Sequence, residues 1–261
     1  MIKFANVARA VAVRDKWFRK PAERKYILKD VSFMVPSGAR LAIVGPNGAG
    51  KSSTVKLLCG LTQPHEGKVC VNDLVPSERS KDFLKSIGVV VADKSSYLDD
   101  LPPWWTVRAI APFYGLSLDI ARERFEKLME TFDLSHLEEK AFRVLSLGER
   151  ARFEIILAML HRPSLLVLDE PSLGLDILGR RCLLETLITT SKQYGGTVVI
   201  TTHDIEEVRA LAEWLLVIEG GTVQYFGKLE SFVAEMSSET VFTLAVKEEL
   251  KLSYRRAYGS N

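Results

Sequence analysis

The chain has 261 residues, 47% of them apolar, enough for one large domain with a sizeable core. Its 35 Lys+Arg nearly balance 33 Asp+Glu, which argues against nucleic acid as a bulk electrostatic partner, and a mean hydropathy of +0.06 leaves room for an apolar surface that a partner covers. No apolar run approaches the roughly 20 residues that span a bilayer, and the start "MIKFANVARAVAVRDKWF" has too short and interrupted an apolar part for a signal peptide, so a cytosolic chain that meets a membrane only through a partner is expected.

In chain order, "ILKDVSFMV" (Ile27 to Val35) reads as a strand, and "PSG" turns it into "RLAIVG", a fully apolar strand. A helix beginning near Lys51 carries Val55, Leu58 and Cys59 on one side. "GKVCVND" has the look of a short hairpin strand and "IGVVV" of another buried one. From about Leu101 the character changes: "LPPWWTVRAIAPFYGL" is irregular to helical. "RERFEKLMETFDL" is helical, with Phe125, Leu128, Met129 and Phe132 at spacings of three and four, and Phe153, Ile156, Leu157 and Leu160 form a second helical face. "SLLVLDE", "TVVITTH" and "WLLVIEGGTVQYFG" restore the strand and helix alternation, the last with Gly-Gly at a hairpin turn. The pattern predicts a largely parallel sheet with a helical segment inserted over about 94–161. After Gly227, "ETVFTLAV" offers one more strand. Cys59, Cys70 and Cys182 form no CxxC pair and read as core thiols.

"GPNGAGKSS", covering Gly45, Pro46, Asn47, Gly48, Ala49, Gly50, Lys51, Ser52 and Ser53, fits G-x-x-x-x-G-K-[ST] in full, with an apolar strand before it and a helix after. The glycines let backbone N–H groups curl around an anion at a helix N-terminus. Lys51 can reach β- and γ-phosphates, and the Ser52 hydroxyl can ligate Mg²⁺. Such a loop needs a magnesium carboxylate on a neighbouring strand, and Asp169 at the end of "SLLVLD" supplies it, with Glu170 next in line to polarise an attacking water. His203 ends "TVVITTH"; it can contact a γ-phosphate or be satisfied by backbone. Ser146 followed by Glu149 is a capping-box pattern at the head of the second helix.

At this point the chain resembles the ATP-binding-cassette ATPases, from about Val7 to Gly227. "LSLGE" (Leu145 to Glu149) is similar to the signature motif L-S-G-G-Q, "PSLGLD" (Pro171 to Asp176) to the D-loop, and His203 to the switch histidine. The resemblance implies an α/β fold: a P-loop NTPase core with a mixed, largely parallel sheet, an N-terminal antiparallel β portion and an inserted helical subdomain. Residues 1–227 would form the nucleotide-binding domain and 228–261 a short C-terminal extension. It implies ATP and Mg²⁺ as cofactors and a second copy or a similar subunit as partner, whose bound ATP meets Ser146 and the backbone around Gly148. It places an aromatic on adenine, for which Trp17 is the best match, with Phe18 and Tyr26 in reserve. Where the family runs roughly I-G-V-V-F-G-Q-K this chain runs "IGVVVADK", so Asp93 replaces the glutamine that senses Mg²⁺ and the membrane subunit; Glu149 likewise replaces a glutamine and Leu147 a glycine.

The "LSLGER" variant is similar to cassettes of exporters whose membrane part is a separate chain. The expected function is a Mg-dependent ATPase that powers transport, in the export direction, from the cytoplasmic face of the membrane through an integral membrane subunit, with "SSYLDDLPPWWTV" as docking surface. The competing expectations are a cassette serving a nucleoprotein or repair machine, and a degenerate cassette that binds ATP beside an active partner.

Overall fold

The computed structural model describes residues 1–13, 23–91 and 100–235. Strands β1 (Ile2–Val13) and β2 (Glu23–Val35) pair antiparallel, and the chain then turns into β3 (Arg40–Val44). Helix α1 (Lys51–Leu58), β4 (Glu66–Val71), α2 (Lys81–Ser86) and β5 (Ile87–Val91) follow. Three helices come next: α3 (Pro103–Ile110), α4 (Leu118–Thr131) and α5 (Leu147–Met159). The remainder alternates as β6 (Leu165–Asp169), α6 (Ile177–Tyr194), β7 (Thr197–Thr201), α7 (Ile205–Leu211), the pair β8 (Trp214–Glu219) and β9 (Thr222–Lys228), and α8 (Leu229–Glu235).

Two sheets result. The larger has the order β5-β6-β7-β3-β8-β9, parallel except for the terminal hairpin, and the smaller is antiparallel in the order β2-β1-β4. The continuous apolar runs have a direct cause: alternate residues of the central strands serve two different cores. Leu41 and Ile43 face the core shared with α1 and the antiparallel sheet, while Ala42 and Val44 face the core under the helices. Leu165 and Val167 divide from Leu166 and Leu168 in the same way.

The helical region is held by its own aromatic centre. Phe153 of α5 meets Phe142 with ring centroids 5.1 Å apart and Phe125 of α4 edge-on at 6.4 Å, all three fully buried. Burial of each ring stabilises the fold by about 1.5–3 kcal/mol. Adjacent Trp104 and Trp105 split between two environments. Trp104 packs on Phe125 under the Arg122 guanidinium, whereas Trp105 is 45% exposed.

Three expectations need correction or fall outside the described residues. "GKVCVND" closes a tight antiparallel turn in which Val71 bridges Leu74 across Asn72 and Asp73, but its strand-length partner is distant: β4 pairs with β1, because the apolar Val69 and Val71 complete the same core as Ile2 and Phe4. Only Cys59 is a core thiol, held protonated by burial first and by nearby Asp169, which together push it up to about 12. Cys70 and Cys182 are half-buried, the first because it alternates outward between Val69 and Val71. The strand expected at "ETVFTLAV" lies outside the described residues.

Candidate functional site: a phosphate loop beside an acidic strand end

The loop from Gly45 to Gly50 leaves the buried end of β3 and enters α1, and its backbone requires glycine. Gly45, Gly48 and Gly50 hold φ of 152°, 81° and 116°. At Gly45 a side chain is excluded twice, since a Cβ would stand 1.9 Å from the Ile218 carbonyl oxygen of β8. The loop is tied to its surroundings by Ala49 N–H donating to Pro46 O at 2.9 Å and Gly221 N–H donating to Ala49 O at 3.1 Å. Lys51 is only 7% exposed, and its ammonium donates to the carbonyls of Gly45 (2.5 Å) and Pro46 (3.3 Å). A buried cation held by loop carbonyls lies inside the cradle that an anion would fill. Ser52 and Asn47 are exposed at its mouth.

Parallel pairing brings the acidic strand end alongside. β6 and β7 run in register with Asp169 opposite Thr201, and the Thr201 hydroxyl donates to Asp169 Oδ1 at 2.5 Å. Thr201 also accepts from the Glu170 N–H at 3.0 Å, which holds Glu170 in a left-handed turn at φ 50°. That turn places the Glu170 carboxylate 3.9 Å from His203 Nδ1, longer than a hydrogen bond and an ion pair once the imidazole is protonated. The His203 side chain is the largest influence on Glu170 and holds its carboxyl below the usual value, with help from Lys51 and against the effect of burial. The Glu170 side chain in turn raises the His203 imidazole, with further help from Glu207 and against burial and Lys51. Lys51 therefore acts electrostatically on both, so loop, strand end and histidine share one locality.

Ser146 and Gly148 occupy the head of α5. The capping box forms: Glu149 Oε2 accepts from Ser146 N–H at 2.7 Å and from its hydroxyl at 2.8 Å, and Glu149 N–H donates to Ser146 Oγ at 3.3 Å. Nothing among the described residues demands glycine at 148, where a Cβ would meet only Leu175 Cδ2 at an ordinary 3.6 Å. Trp17, Phe18 and Asp93 lie outside the described residues. Tyr26, the other aromatic in reserve, stands on β2 with its hydroxyl 3.5 Å from the Glu66 carboxylate. Among the described residues no three His, Cys, Asp or Glu side chains gather as a metal cage. Sequence reasoning missed Thr201, for which the only signal was a β-branched hydroxyl residue near a strand end.

The sequence pattern of the ABC transporter family matches residues 28–173, more than half of the chain and inclusive of both the phosphate loop and the acidic pair. The chain belongs to that family. Among curated relatives, this cassette is 29% identical to the linearmycin resistance ATP-binding protein of Bacillus subtilis, over 87% of this chain and 73% of the relative. It is 34% identical to the cobalt import ATP-binding protein of Rhodobacter capsulatus, over 81% and 76%. Among solved structures, a dimeric ATP-binding cassette in a post-hydrolysis state, bound to ADP and Pi, superposes with a TM-score of 0.75 at 25% identity, covering 88% of this chain and 99% of that one. The cassette thus has the ABC-type ATP-binding fold: a P-loop NTPase core, an N-terminal antiparallel β region and a helical subdomain. None of its described helices is long and apolar enough to cross a membrane.

Proposed function

We propose that this cassette binds and hydrolyses ATP with Mg²⁺ and powers transport through a separate integral membrane subunit. The observation that carries the reading is the convergence of the glycine loop, Asp169, Glu170 and His203 at the ends of adjacent parallel strands, with the Lys51 charge felt by Glu170 and His203. The N–H groups from Gly45 to Ser53 and the Lys51 ammonium hold the phosphates; Ser52 and Asp169 hold Mg²⁺, whose positive charge would neutralise the phosphate oxygens. Glu170, kept ionised beside His203, polarises the attacking water, and His203 steadies the terminal phosphate. On the family resemblance we assign Trp17 to the adenine face and Asp93 to the metal through a water.

Ser146 and Gly148 serve the nucleotide of a second copy or a similar subunit. This accounts for a glycine at 148 that none of the described residues of its own chain requires. Exposed Trp105 and Phe113, the latter 80% exposed, belong to the docking surface for the membrane subunit, which holds the cassette at the cytoplasmic face. Residues 1–227 act as the nucleotide-binding domain. The export direction rests on the "LSLGER" variant and on likeness to a resistance protein.

Phosphate release by the parent chain and by Lys51→Ala and Glu170→Gln tests the catalytic half. Lys51→Ala is expected below about a tenth of parental turnover, and Glu170→Gln should retain ATP while losing turnover. A parent that binds ATP without turning it over is a regulatory cassette and refutes the reading. Reconstitution with the membrane subunit in vesicles, with uptake and release measured, decides direction; ATP-driven inward movement overturns export.

A further inference from the structure

Two charged side chains beside the site have no part in the chemistry above. Glu207 stands in the first turn of α7 yet is only 1% exposed, where a helix-terminal carboxylate ordinarily faces water. Its Oε1 accepts from the Ser172 hydroxyl and lies 3.6 Å from Arg180 Nε, and Arg180 Nη1 donates to the Asp204 carboxylate. Glu207 Oε2 and Arg180 Nε are both buried without a hydrogen-bond partner among the described residues. A buried carboxylate is tolerated only when a cation and hydrogen-bond donors hold it, so Arg180 and Ser172 are what keep Glu207 in place.

The positions of these partners give the cluster its meaning. Ser172 is two residues past Glu170, and Asp204 directly follows His203. Glu170 and His203 face each other directly at 3.9 Å, and behind them a second path runs from Ser172 through Glu207 and Arg180 to Asp204. Three elements meet there: the turn after β6, the start of α6 and the start of α7. We propose that Glu207 and Arg180 are positioning residues, forming with Ser172 and Asp204 a brace that fixes how Glu170 faces His203. The proposal rests on the assignment of Glu170 as the residue that polarises water. The brace closes fully when Arg180 Nε moves about 0.5 Å to reach hydrogen-bond distance. Glu207 also contributes its charge to His203, which supports the same geometry.

The full chain carrying Glu207→Gln keeps an oxygen for Ser172 and loses the charge that holds Arg180. Its kcat for ATP is expected to fall about tenfold or more, with KM within about twofold of the parent, because the groups that hold phosphate are untouched. The imidazole titration of His203, followed by NMR in nucleotide-free protein, should move to lower pH. Ser172→Ala, which leaves the Glu207 and Arg180 pair intact, should lower kcat less with KM again unchanged, and it carries the kinetic test if Glu207→Gln does not fold. A kcat within twofold of the parent, or a rise in KM that accounts for the whole loss, overturns the proposal. If the parent lacks turnover, or Glu170→Gln keeps it all, the ATPase reading fails by itself. The His203 midpoint then still decides: if Glu207→Gln, or Ser172→Ala in its place, leaves it unmoved, there is no brace.

Discussion

Gly148→Ala separates what the fold needs from what a second chain needs. Gly148 is the second residue of α5 and its helical φ suits any L-residue. An added methyl would rest 3.6 Å from Leu175 Cδ2, an ordinary van der Waals contact, so no described neighbour has to move. Replacing glycine by alanine in a helix gains up to about 1 kcal/mol, and less in the first turn, so a stabilisation of about 0.5 kcal/mol is expected. For a domain of this size that amounts to a rise in Tm of about 1–2 °C. The same methyl would project where the partner's phosphate is proposed to approach, and turnover should fall at least about tenfold, equivalent to about 1.4 kcal/mol. Thermal unfolding and phosphate release on one preparation read both quantities, and light scattering with ATP and Mg²⁺ on a Glu170→Gln background reads closure. A variant with parental turnover and parental ATP-driven association would refute the assignment of Gly148 to a partner's nucleotide. A variant that is inactive because it is unstable would refute the packing argument instead.

At Gly45 the opposite holds: Gly45→Ala sets a Cβ 1.9 Å from the Ile218 carbonyl oxygen at a φ of 152°, and urea unfolding should record a loss above about 3 kcal/mol. His161 stacks on Tyr114 at 3.8 Å and donates from Nε2 to the Ile87 carbonyl at 3.0 Å, while burial, above all, pushes its imidazole down to about 4. Between about pH 6.5 and 4 the unfolded chain binds a proton that the folded chain refuses, so stability falls as pH falls, by at most about 1.4 kcal/mol per pH unit. His161→Phe keeps the ring stack and should flatten that limb in urea titrations at pH 7, 6 and 5; equal slopes for both proteins would exclude His161 as its source. Glu149→Ala removes half of the capping box and should cost about 1 kcal/mol, whereas Glu149→Gln preserves the box and should cost little, both by thermal melts.

Local sequence announced the phosphate loop and most of the elements, because each is specified within a few residues, though β1 and α2 went unread. The apolar runs at Leu41–Val44 and Leu165–Leu168 announce strands buried on both faces, and the structure sends their alternate side chains into two cores. The glycines of the loop were legible because only glycine holds the backbone angles found there. The capping box at Ser146 was legible because it closes within four residues. Pairings between distant segments were not. β4 finds β1 through a shared core, and nothing in "GKVCVND" names its partner. Trp104 and Trp105 are identical as letters and separate only when α3 turns one toward Phe125 and the other outward. Thr201 and Glu207 read as an ordinary strand residue and an ordinary surface acid. They become a support for Asp169 and a buried anchor for Ser172 once parallel pairing and the approach of α6 and α7 set them opposite those groups. The sequence alone singled out the groups proposed to bind a phosphate; long-range burial, which no local pattern encodes, decided which side chains stand behind them.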